Sequence, residues 1–102
     1  MTSSPDLEGW NHQALMLVQA LLGAVSPNFR MVVLDHEGTR WKLSFVLEKD
    51  QAEDRAEIED IASEFATLQD KRIDFETEVN VAAGALPWPS PPARVLFRRR
   101  EP

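Results

Sequence analysis

The sequence contains no cysteine and only two histidines among its 102 residues. The lack of cysteine excludes disulfide bonds, thiolate zinc sites and cysteine nucleophiles, and it fits a reducing compartment such as the cytoplasm. The four glycines are widely separated and form no phosphate-binding loop. Neither histidine lies close in sequence to a serine and a carboxylate in the manner of a catalytic triad. We therefore expect no enzymatic activity, no bound cofactor and no metal site.

Long hydrophobic runs are also missing. The most apolar stretch is ALMLVQALLGAV at residues 14–25, whereas a membrane-spanning helix needs about 20 apolar residues. The segment before it has two acids and no Lys or Arg, although a signal peptide begins with basic residues. These features predict a cytoplasmic protein that does not contact a membrane.

Basic residues are too few to balance the acids, since 11 Lys and Arg stand against 17 Asp and Glu, and the formal net charge is −6. Residues 48–64 contain eight acids and two bases, so this one segment accounts for the whole excess. Phosphate contacts require Lys and Arg, so we do not expect nucleic-acid binding. The tail RRRE at residues 98–101 lacks interleaved aromatic residues, and intramolecular pairing is its simpler interpretation.

The order of predicted elements is α-β-β-α-β-β. Residues 1–10 are predicted to be a flexible N-terminal arm, and residues 11–102 a single domain that includes a proline-rich loop at residues 82–93. The first helix is expected at residues 11–25, with Asn11 as N-cap and the SPN sequence at residues 26–28 as its stop. Asp50 and Glu53 resemble a capping box that opens the second helix.

Alternation of apolar and polar residues predicts strands that have one buried face. A hairpin turns at Gly38, and its second strand buries every other residue from Trp41 to Leu47. The third strand, within RIDFETEVNV at residues 72–81, points three acids outward, where bases on neighbouring strands can pair with them. The whole pattern predicts an α+β domain with a mostly antiparallel four-stranded sheet and two helices.

The second helix concentrates acids on one side. At 100° per residue, Glu53, Glu57, Asp60 and Glu64 fall in one narrow stripe, and carboxylates four residues apart repel by about 0.2–0.5 kcal/mol per pair. Such a stripe is either a solvated face that maintains solubility or a docking surface for a basic partner. A metal site is disfavoured because the carboxylates come from one helix without a histidine ligand.

Two further features leave alternatives open. Trp88 lies between prolines, so its indole either folds over the core or stands exposed as an interface anchor. The first helix is apolar nearly all round, and this favours a second hypothesis, a homodimeric structural or regulatory protein. The candidate partner-binding residues are Glu53, Asp54, Glu57, Asp60, Glu64 and Trp88.

Three segments carry a resemblance to a known family: LLGAVSPNFRMVVL, LSFVLEKDQAEDRAEIEDIASEFATLQD and VLFRRRE. Over about residues 14–101 the chain resembles small acidic bacterial immunity proteins of contact-dependent or colicin-like toxin systems. The resemblance implies a non-enzymatic inhibitor that presents carboxylates to a basic toxin, for example a nuclease. In that interpretation, the acidic helix is the surface that docks on the toxin.

Overall fold

A computed structural model describes residues 5–101 and contains two helices and four strands. The predicted order α-β-β-α-β-β is confirmed. In chain order the elements are α1 (Leu7–Leu21), β1 (Phe29–Glu37), β2 (Arg40–Leu47), α2 (Ala52–Thr67), β3 (Phe75–Val81) and β4 (Arg94–Arg98).

The four strands form one sheet in the order β3-β2-β1-β4. Strand β1 is antiparallel to both β2 and β4, but β2 and β3 run parallel. The prediction of a mostly antiparallel sheet was therefore wrong, and the sheet is mixed. The reason is that α2 connects β2 to β3 and carries the chain back to the end where β2 began, which is the connection that parallel neighbours require.

The β1–β2 hairpin forms as predicted. Glu37 pairs with Arg40, which leaves a two-residue loop. Gly38 occupies the first loop position with φ of 61°, a conformation that L-residues with a Cβ atom disfavour. Trp41, Leu43, Phe45 and Leu47 are all buried on one face of β2, so the alternation in the sequence has its expected structural outcome.

The helix ends differ from those predicted. Helix α1 begins at Leu7 instead of residue 11, because Asp6 caps it by accepting a hydrogen bond from the Gly9 amide at 2.8 Å. Residues 7–10, predicted as part of a flexible arm, thus form the first turn, and residues 1–4 of that arm lie outside the described residues. The helix ends at Leu21, before the predicted stop, because Gly23 adopts φ of 78°.

The start of α2 also departs from prediction. Its N-cap is Gln51, and no side-chain hydrogen bond caps the helix there. Asp50 instead pairs with Arg55, so the proposed capping box does not form. Helix α2 is held chiefly by its buried stripe of Ile58, Ile61 and Phe65.

Each face of the sheet has its own apolar cluster. Side chains of successive strand residues alternate between faces, so Val32 and Leu34 join the large core under the helices, while Met31 and Val33 join a smaller cluster on the other face. Leu86 of the proline-rich segment (residues 82–93) packs on that smaller cluster. The helices and the proline-rich segment therefore cover opposite faces of the sheet.

The two helices run antiparallel across the large core. Gln13 near the start of α1 exchanges side-chain hydrogen bonds with Gln69 just after α2, at 2.9 and 2.8 Å. At the opposite end, Ser26 after α1 donates to Asp54 in the first turn of α2 at 2.8 Å. This arrangement fixes which flank of α2 faces α1.

Candidate functional site

The acidic stripe of α2 consists of Glu53, Glu57, Asp60 and Glu64. Three of these side chains are exposed and Glu57 is half-buried, while Ile61 and other residues one flank away enter the core. Burial of the apolar stripe sets the rotation of the helix, because that face must meet the sheet. The carboxylates are thereby held at the surface in a single row.

None of the four carboxylates forms an ion pair with any Lys, Arg or His among residues 5–101. Arg55 is the one base within α2, and it pairs with Asp50 at the helix start. Arg55 does not pair with Glu59, which lies four residues further along the helix. Hydrogen bonding to Asp50 raises the pKa of Arg55 above its ordinary value. The stripe thus keeps its negative charge uncompensated.

The stripe lies on the flank of α2 that faces α1. Ala66, on the opposite flank, lines a cleft with Ile73 and Phe75 next to β3. Glu53 lines a second cleft together with Ser26, in the turn that follows α1. At 100° per residue Glu57, Asp60 and Glu64 share the flank of Glu53 and point away from the first cleft. A partner approaching the helix layer would therefore meet these carboxylates between the two helices.

Asp54 belongs to the interior and not to this exposed row, since only 6% of its surface is accessible. Its carboxylate accepts hydrogen bonds from Ser26 Oγ and Asn28 Nδ2, both at 2.8 Å. Asn28 in turn bonds the backbone of Lys49 through both ends of its amide. Asp54 therefore fastens the first turn of α2 to the SPN turn and positions the acidic stripe indirectly.

Trp88 is exposed, with 66% of its surface accessible. The Arg98 guanidinium stacks over the indole at 4.2 Å from the ring centroid and also donates to the carbonyl oxygen of Leu86. These contacts belong to the proline-rich segment, on the sheet face opposite α2. The structure therefore does not bring Trp88 together with the acidic stripe.

The acids of β3 have a different environment. Arg40 lies 3.5 Å from both Asp74 and Glu76, and Lys42 Nζ lies 3.1 Å from Glu78. The hydrogen bond to Glu78 raises the pKa of Lys42 above its ordinary value. The expected pairing of outward acids and bases across neighbouring strands is confirmed, and these residues constitute a charge ladder.

Sequence reasoning missed one ionic cluster at the C-terminal end. Arg30 is only 4% exposed and donates to both oxygens of the Glu101 carboxylate at 2.8 Å, and also to the Ala82 carbonyl at 2.7 Å. Bonding to Arg30 lowers the pKa of Glu101 to about 2, and Arg99 contributes to this shift. Intramolecular pairing of the RRRE tail was expected. The sequence does not identify Arg30 as the partner of Glu101, because the two residues are 71 positions apart.

Within residues 5–101, no group of three or more His, Cys, Asp or Glu side chains is arranged to hold a metal ion. Among the described helices, none has the length and apolar character needed to cross a membrane.

The chain is thus a two-helix, four-stranded α+β domain that exposes a self-repelling row of carboxylates. A family model described as MafI2 immunity protein matches residues 11–101, and the chain belongs to this family. No curated protein matches the chain significantly. Family membership confirms the resemblance to immunity proteins of toxin systems. It implies a toxin-inhibiting function, with a toxin as the partner.

Proposed function

We propose that this protein inhibits its toxin by docking the acidic stripe of α2 on a basic surface of that toxin. The observation that supports this most directly is that none of Glu53, Glu57, Asp60 and Glu64 forms an ion pair within residues 5–101. Four carboxylates in one row repel one another in the free protein. A cationic surface would relieve that repulsion on binding.

The same arrangement suits rapid recognition. A row of uncompensated charge attracts an oppositely charged partner over a distance and raises the association rate, while it repels acidic competitors. A toxin that acts on nucleic acid needs Lys and Arg to contact phosphates. A nuclease active site is therefore the toxin surface that best complements the stripe, and occupying that site would block substrate.

We narrow the predicted set of contact residues by burial and by position on the sheet. Asp54 is buried, so we assign it the role of positioning the helix. Trp88 points from the opposite face of the sheet, and one flat partner surface cannot reach both it and the stripe. We therefore restrict the proposed toxin contact to Glu53, Glu57, Asp60 and Glu64, and treat Trp88 as a separate exposed anchor.

The proposal is tested by reversing charge within the stripe. The toxin is first captured from source lysate on the immobilised protein at low salt, released at high salt and identified by mass spectrometry. Asp60→Lys should then weaken toxin binding about tenfold, and Glu57→Lys with Asp60→Lys about 100-fold or more, because each substitution places like charges in contact. Isothermal titration calorimetry measures the affinities, and protection of cells from the toxin measures inhibition.

Glu59→Lys is the matched control. Glu59 is adjacent to Asp60, exposed on the same helix and subject to the same charge change, but it points away from the stripe. We expect its affinity for the toxin to stay within about threefold of wild type, since rim charges act weakly and are screened. If Asp60→Lys and Glu59→Lys weaken binding equally, or neither does, the toxin does not dock on the stripe, although the family-level immunity function would stand.

A further inference from the structure

Helix α1 carries a second exposed surface of different chemistry. Leu7, Leu15, Val18 and Leu22 are 68, 54, 39 and 75% exposed. At 100° per residue Leu7, Leu15 and Val18 fall within a sector of about 80°. Leu22 follows the helix as its C-cap, and we call the four side chains the apolar row. The buried face of α1, with Trp10 and others, occupies a separate sector. Such a row of large apolar side chains on a helix is the pattern of a helix-packing seam.

The apolar row lies on the flank of α1 that faces away from α2. Asn11 shares its sector and accepts a hydrogen bond from Arg94 of β4 at 2.7 Å. Gln13, on the other flank, bonds Gln69 beside α2. The apolar row and the acidic stripe therefore point in different directions, and covering one leaves the other accessible.

Charge indicates what covers the apolar row. Within α1 the ionisable side chains are Glu8 and His12, whereas the whole chain has a net charge of −6. Two copies of an acidic protein repel wherever their acids meet, so they approach best through a patch with few acids. Glu8 lies only at the edge of the row, and the charge beside Asn11 is the Arg94 guanidinium. A two-fold interface brings the same patch of both copies together, so the patch must be complementary to itself. An apolar row meets this condition, whereas an acidic stripe would repel its own copy.

We infer that the apolar row is a self-association surface on which a second copy of this chain packs its own α1. The helix has 15 residues and is about 22 Å long at 1.5 Å per residue, so the contact is at the small end of specific interfaces. We therefore expect a weak, reversible dimer with a dissociation constant on the order of 10 μM. Such a dimer would present two acidic stripes, each free to dock on a toxin.

Sedimentation equilibrium on the full chain, from about 1 to 500 μM at physiological salt, tests this inference. The wild type should shift from monomer to dimer across that range. Leu15→Gln with Val18→Gln should raise the dissociation constant at least about tenfold, because the seam loses its central apolar contacts. Both side chains are exposed, so thermal unfolding should show that the variant remains folded.

Val18→Gln and Val81→Gln form the matched pair, since the two valines are 39 and 44% exposed and Val81 lies on β3. Only Val18→Gln should weaken the dimer. A wild type that stays monomeric up to 500 μM overturns the inference. Equal weakening by both variants overturns it as well. If the Leu15→Gln, Val18→Gln variant loses affinity for the toxin while its dimerisation is unchanged, the apolar row contacts the toxin and not a second copy.

Discussion

The acidic stripe of α2 and the charge ladder of β3 differ in whether their acids are paired within the protein. Both place acids at regular intervals along an exposed face. Asp74 just before β3, and Glu76 and Glu78 within it, each lie near a cation on β2, whereas no carboxylate of the stripe forms an ion pair among the described residues. Acids alone therefore do not mark a binding surface. Acids that the fold leaves unpaired are the ones available to a partner.

The neighbours of each element explain the difference. Strand β3 lies beside β2 in a register that places Lys42 opposite Glu76 and next to Glu78. The stripe faces α1, whose sequence contains no Lys or Arg. The fold thus neutralises acids beside a strand rich in cations and leaves acids exposed beside a helix without them.

The largest expected effect on stability comes from Glu101, the most strongly paired carboxylate among residues 5–101. Glu101→Gln leaves Arg30 almost fully buried without a counter-ion, and such a loss is strongly destabilising. The pKa of Glu101 lies at about 2, below the ordinary 4.5. The stabilisation of the fold by the Glu101 carboxylate is therefore complete above pH 4.5 and is lost as the pH falls towards 2.

Urea unfolding at pH 7, 4.5, 3 and 2 measures this effect. The wild type and Glu101→Gln should differ most at pH 7, and their midpoints should converge as the pH approaches 2. A constant difference across the whole series would show that the charge of Glu101 is not what stabilises the cluster.

A smaller effect on stability is expected at Asp54. This buried acid is compared with its exposed neighbour Glu53. Asp54→Ala should destabilise the fold by about 1–3 kcal/mol, because the Ser26 and Asn28 donors lose their acceptor. Glu53→Ala should change stability by no more than about 0.5 kcal/mol, as exposed substitutions usually do. Guanidinium unfolding of the two variants measures both values, and equal losses would contradict the division between them.

The charge ladder should respond less than Asp54 does. Lys42→Gln removes the cation beside Glu78 and should lower the thermal midpoint slightly, since cross-strand ion pairs are individually weak. Lys49→Gln is the control, because Lys49 is exposed and its side chain has no ion pair among residues 5–101. Differential scanning calorimetry compares the two, and a decrease of the same size in Lys49→Gln would argue against the ladder.

The smallest effect is expected within the stripe, and it has the opposite sign. Glu57→Gln with Asp60→Gln should raise the free energy of unfolding by about 0.2–0.5 kcal/mol at low salt, because repulsion along the helix is relieved. The gain should shrink in high salt as the charges are screened. Urea titrations at both salt concentrations measure it. Loss of stability in this variant would mean that the stripe is paired in the folded protein.

Much of this arrangement was predictable from local sequence. Strict alternation predicts the buried face of β2, and the three- and four-residue spacing of Ile58, Ile61 and Phe65 predicts the core face of α2; both faces are buried in the structure. The same helical geometry placed the four carboxylates in one row. These predictions succeeded because each depends only on residues close together in the chain.

The remaining features depend on contacts that local patterns do not encode. The alternation of apolar and polar residues in β3 is the same beside a parallel or an antiparallel neighbour, so it does not give the direction of the strand. The direction depends on the crossover through α2, the helix that precedes β3. The burial of Asp54 depends on Ser26 and Asn28, on a distant turn. Likewise, nothing near Arg30 in the sequence indicates Glu101 as its partner.

The mixed sheet also bears on how the chain folds. The central β1–β2 hairpin closes a two-residue loop, while β3 can join β2 only after the segment containing α2 has traversed the sheet. Closing the longer loop loses more chain entropy. Local opening of the native protein should accordingly begin at the outer strand β3 and reach the hairpin last.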